Sequence, residues 1–149
     1  MVIQRIQSLF LLIAVILMVV FAFFPALTFE MADKTVLYGA LETGRAGSIH
    51  VDPLLITLTI LIAFLALVDI FLYKNLQRQM TVCFVDIIIG IAMLIAICIQ
   101  AFYVGNRDGW TVTWHWAVLL PVLAIIMLML AHKSMSNDKK ALRDSDRLR

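Results

Sequence analysis

Two carboxylates sit inside long apolar runs: Asp69 near the end of one, Asp86 near the start of the next, with the basic stretch Lys74-Asn75-Leu76-Gln77-Arg78 between them. An ionisable side chain in such surroundings is costly unless it is paired or wetted. Two carboxylates close together in a low dielectric do not both ionise readily unless a cation stands between them. Two kinds of chemistry fit. The pair is a proton or cation site of a small carrier or channel, or it is a structural charge cluster with Arg5, Lys74 and Arg78 as its cations. The pair lies about one turn inside the boundary of its runs rather than at their middle, and the chain has no internal repeat, which favours the cluster. Asp86 also gains from the positive end of the helix it opens.

Little else has the residue types for catalysis. The three histidines, His50, His115 and His132, fall in three separate segments, and none has a second ligand at helical spacing. No phosphate-binding glycine loop or nucleophile motif is present. The expectation is a non-enzymatic chain with no catalytic residue, metal or cofactor and no nucleic-acid partner. Cys83 and Cys98 share one apolar run about four turns apart, so they cannot pair with each other.

The elements that hold these residues follow from hydropathy. The chain has 149 residues, 63% of them hydrophobic, and a mean hydropathy of +1.00. A water-soluble core of this size cannot bury so much apolar surface. Four apolar runs, about 6–24, 53–73, 82–104 and 114–131, each approach the ~20 residues that cross about 30 Å of hydrocarbon. The first run is too long for a signal-peptide core, and Phe23-Phe24-Pro25-Ala26 lacks the small-x-small cleavage pattern, so it reads as an uncleaved helix. Nine basic residues (Arg5, Lys74, Arg78, Lys133, Lys139, Lys140, Arg143, Arg147 and Arg149) fall on one side of this layout. Three, Lys34, Arg45 and Arg107, fall on the other. That asymmetry places both termini and the 74–81 hinge in the cytoplasm.

Within the third run, Cys83, Asp86, Gly90, Met93, Ile97 and Gln100 recur at three-or-four spacing. A stripe that includes Cys83, Gly90 and Gln100 should face other helices, because lipid rewards none of them. In the first outer loop, Leu27-Thr28-Phe29-Glu30-Met31 and Thr35-Val36-Leu37-Tyr38 flank a turn at Ala32-Asp33-Lys34 and predict a hairpin. Trp110, Val112 and Trp114 alternate and could add a third strand. Trp110, Trp114 and Trp116 also read as interfacial anchors. Asp52-Pro53 is a helix start, Pro121 is expected to kink the fourth helix, and 133–149 reads as a charged cytoplasmic tail drawn to anionic headgroups.

The start Val2-Ile3-Gln4-Arg5-Ile6-Gln7-Ser8-Leu9, leading into an apolar helix that ends Phe24-Pro25, resembles a family of bacterial four-span inner-membrane proteins described as a domain of unknown function. The resemblance covers the whole chain and implies architecture and location. The long first and short second outer loops also look like those of claudin-type tetraspan proteins, although the outer-loop tryptophan and paired-cysteine signature of those proteins is missing here. The expected fold is an all-α membrane protein. Residues 1–132 form an antiparallel, left-handed four-helix bundle with both termini inside, and a small extracytoplasmic β-element comes from the 26–52 and 105–115 loops. The expected role is an accessory or scaffold subunit in the bacterial inner membrane, in contact with lipid and with a membrane protein partner or further copies of itself.

Overall fold

A computed structural model describes residues 2–32, 34–41, 44–45, 53–106 and 109–147. It contains four helices: α1 (Val2–Ala22), α2 (Pro53–Phe71), α3 (Leu76–Gly105) and α4 (Leu119–Arg147). Helices α2, α3 and α4 carry stretches long and apolar enough to cross a membrane, and Ile6–Ala22 of α1 is apolar but shorter. Each helix packs against two others, α1 on α2 and α4, and α3 on α2 and α4, which closes a ring.

The ring is built from narrow stripes. α1 buries Leu11, Ala14, Met18 and Phe21. α2 buries Leu55, Thr59, Ile62, Ala66 and Asp69, and α3 buries Gln79, Cys83, Asp86, Gly90, Met93, Ile97 and Ala101. Alternating steps of three and four residues keep a stripe on one side of a helix with the 3.5-residue period of left-handed packing. Small residues let the helices approach closely: a Cβ added to Gly90 would stand 2.9 Å from Cγ1 of Ile125. Off the stripes, large apolar side chains face outward on every helix, among them Ile16, Phe64, Ile99 and Met129.

Three boundaries differ most from the sequence reading, the third being the end of α4, which runs to Arg147 rather than stopping near 131. α3 starts at Leu76, well before the expected 82, so the hinge shrinks to a 3-10 turn at Leu72–Lys74 and Asn75. Asn75 donates its amide to Leu72 at 2.9 Å and accepts from the amide of Gln79 at 3.0 Å, and these bonds let one helix follow the other almost directly. α4 begins at Leu119 after a 3-10 turn at Trp116–Val118. Pro121 therefore lies in its first turn, where a missing N–H is tolerated, and the proline starts the helix rather than kinking it.

At the opposite end of the helices from the hinge is a sheet: β1 (Pro25–Met31), β2 (Lys34–Gly39), the two-residue β3 (Gly44–Arg45) and β4 (Thr111–Trp114), in the order β3-β2-β1-β4. The hairpin pairs Leu27 with Tyr38 and Phe29 with Val36. The second loop adds its strand antiparallel to β1, with Leu27 opposite Trp114 and Phe29 opposite Val112. Gly109, at φ 83° in the left-handed region, turns the chain into β4. Asp33 of the expected turn, together with His50, Asp52 and Arg107, lies outside the described residues.

Candidate functional site

The site is assembled where the hinge brings α2 and α3 together. Asp69 is 0% and Asp86 1% exposed. Asp69 ends the buried stripe of α2, and α3 presents Gln79, Cys83 and Asp86 on successive turns of its own stripe. Asp69 and Asp86 lie within electrostatic range of each other, and Cys83 within range of both. Gln79 donates from Nε2 to the main-chain carbonyl of Asp69 at 3.2 Å. The Cys83 thiol donates to the carbonyl of Leu128 on α4 at 3.3 Å.

Among the described residues, none of the four carboxyl oxygens of Asp69 and Asp86 has a hydrogen-bond partner. Buried polar atoms are nearly always satisfied, so this is the main chemical exception in the fold. Of the three expected cations, Lys74 and Arg78 are exposed at the hinge. Lys74 ends the 3-10 turn and Arg78 lies in the first turn of α3, and among the described residues no bond joins either to the carboxyls. Arg5 belongs to α1, and its side chain lies outside the described set. The structure thus brings the two acids together and leaves two of the proposed cations apart from them.

The remaining candidates are placed as follows. Gly90 is buried, but Gln100 is only half-buried, and Ala101 occupies its place on the stripe. Cys98 is exposed on the outer side of α3. Trp110 is half-buried against the core, while Trp114 and Trp116 are exposed. The ring of Trp116 packs at 4.9 Å on that of Phe24. No group of three or more His, Cys, Asp or Glu that could hold a metal ion occurs among the described residues.

Sequence reasoning missed the place of Gln79 on the α3 stripe and the partner of Gln7, whose spacing with Gln4, Ser8 and Leu11 already puts it on a polar face suited to headgroups or another helix. The sequence reading places Gln79 in the hinge, although its spacing ahead of Cys83 and Asp86 continues their stripe. Gln7, 2% exposed, donates to Oδ2 of Asp138 on α4. This bond ties the start of the first helix to a segment that composition assigns to a solvated tail. Lys139 donates to Oε1 of Gln77 at the hinge.

Residues 3–148 match the model of a family described as a domain of unknown function, DUF4293. The chain belongs to that family. No curated protein matches it. The DUF4293 match takes in all four helices and the sheet together, so the buried acid pair and the paired outer loops fall within one family domain.

Proposed function

We propose that this DUF4293 chain is a four-span protein of the bacterial inner membrane, with both termini and the hinge in the cytoplasm, and that it serves as a non-enzymatic accessory or scaffold subunit. The membrane reading is supported by the outward apolar residues on all four helices, including Leu9, Phe64, Phe102 and Leu119, since contiguous apolar surface of this extent needs a lipid or protein cover. The orientation is supported by the excess of Lys and Arg at the hinge and beyond Ala131.

The observation that carries the accessory reading is the sheet. β4 is one of its two edge strands; among the described residues no strand pairs with its outer side, which suits it to accept a strand from a partner, and Trp114 and Trp116 are exposed beside it. Purification in mild detergent, with cross-linking from position 113 and identification of what is joined, tests this. A specific partner or a second copy cross-linked at β4 is expected; a strictly solitary monomer overturns it.

A second reading is favoured by the oxygens of Asp69 and Asp86, which have no hydrogen-bond partner among the described residues: a small proton- or cation-coupled carrier or channel. In liposomes, a proton-coupled flux that Asp69→Asn and Asp86→Asn abolish without loss of folding would establish it. Equal leak from wild type and variants would remove it.

A further inference from the structure

We propose that a cleft between α3 and α4 binds an anionic phospholipid of the cytoplasmic leaflet, with the lipid phosphate on the Lys133 ammonium and an acyl chain lying along the cleft. The inference rests on the membrane reading above and adds a defined ligand to it. Phe84 and Ile87 of α3 form one wall of a cleft of about 540 Å³, and Ile126, Met129 and Leu130 of α4 form the other. That volume lies in the range of ligand-sized sites, about 300–1,000 Å³. Apart from His132 and Lys133, which close one end, the lining is hydrocarbon.

The polar end stands at the right depth. Lys133 is the first charged residue of α4, after an uncharged run from Leu119 to Ala131. It is also short of the hinge level, which α4 reaches where Lys139 meets Gln77. From Ile126 to Lys133 the helix rises about 10 Å, most of the ~15 Å that one leaflet contributes to the hydrocarbon core. A lipid with its phosphate at Lys133 therefore lays its upper acyl chain along the cleft. Lys133 is exposed, and among the described residues no carboxylate lines the cleft to compete for it. The His132 ring packs against Phe84 at 6.1 Å and fixes the shape of that end. The thiol of Cys83, bonded to the carbonyl of Leu128, holds the two helices together beneath the cleft.

A lysine that merely reaches up to generic headgroups would be insensitive to the cleft beside it, so the test pairs a charge variant with a filling variant. The purified full chain is equilibrated with equal amounts of phosphatidylglycerol and phosphatidylcholine, and the lipid it retains is counted by native mass spectrometry. Wild type should retain phosphatidylglycerol over phosphatidylcholine by about fivefold, the effect of one basic residue near a headgroup. Lys133→Gln should bring the ratio close to parity. Met129→Trp, which fills the cleft and leaves Lys133 in place, should lower retention of phosphatidylglycerol. Parity in wild type, an unchanged preference in Lys133→Gln, or unchanged retention of phosphatidylglycerol in Met129→Trp overturns the proposal. Flotation with phosphatidylglycerol/phosphatidylcholine vesicles separates the two failures. A chain that does not float loses both the membrane reading and the lipid site; one that floats but shows parity loses the lipid site alone.

Discussion

Gln79 on α3 donates to the main-chain carbonyl of Asp69 on α2 at 3.2 Å, so the two helices are joined through the backbone of a residue whose carboxyl has no hydrogen-bond partner among the described residues. Gln79 is 2% exposed, and its loss removes a buried interhelical bond. Gln79→Leu should lower stability by about 0.5–2 kcal/mol, measured by denaturant unfolding in detergent.

The carboxyls themselves should respond in the opposite way. A buried charge without a partner is a cost that a neutral group of the same shape relieves. Asp69→Asn and Asp86→Asn are expected to leave the melting temperature unchanged or raised. A large drop in either would show that a cation holds the pair and that the acids stabilise the fold.

At Gly90 the packing is tight enough to reverse a propensity. Alanine favours a helix over glycine by about 1 kcal/mol, but its Cβ would stand 2.9 Å from Ile125 Cγ1, and overpacking of this kind costs about 1–3 kcal/mol. Gly90→Ala should therefore lower the melting temperature in wild type and raise it in an Ile125→Ala background.

Asp138 supports a buried amide. Asp138→Ala leaves Nε2 of Gln7 without this acceptor, at a cost of about 1–3 kcal/mol. Deleting residues from 134 onward should be at least as damaging, because it also removes the fully buried Met135. Protease resistance in detergent reads both.

At the sheet, Thr28 Oγ1 and His115 Nε2 lie 2.5 Å apart, and the His115 amide donates to Ala26 at 3.1 Å. His115→Ala should speed hydrogen exchange at the β4 amides while leaving those of α3 unchanged, with a loss of about 1 kcal/mol.

Much of this arrangement is legible in the sequence, and the exceptions have physical causes. The α3 stripe can be read because Cys83, Asp86 and Gly90 interrupt an otherwise uniform apolar run at helical spacing. The hairpin can be read because Leu27 to Met31 alternate. The start of α3 is obscured because Leu76-Gln77-Arg78-Gln79 looks like a polar loop, although one face of it is buried. The charged end of α4 conceals its packing in the same way: Met135 and Asp138 fall three residues apart on the buried side, among residues whose average composition is that of a tail. No local pattern announces the Gln7–Asp138 contact, since its partners lie 131 residues apart. Hydropathy also cannot say whether Asp69 and Asp86 meet a cation, which depends on the length of the hinge.

The position of β1 between β2 and β4 imposes an order on synthesis. The hairpin partner follows β1 almost at once, but the other edge of β1 pairs only when β4 emerges, and 87 residues separate Thr28 from His115. At 5–20 residues per second, β1 waits on the order of ten seconds with one row of peptide groups open. The sheet thus acts as a closing latch on biogenesis, engaging only after the second and third helices have been delivered and the fourth is about to follow.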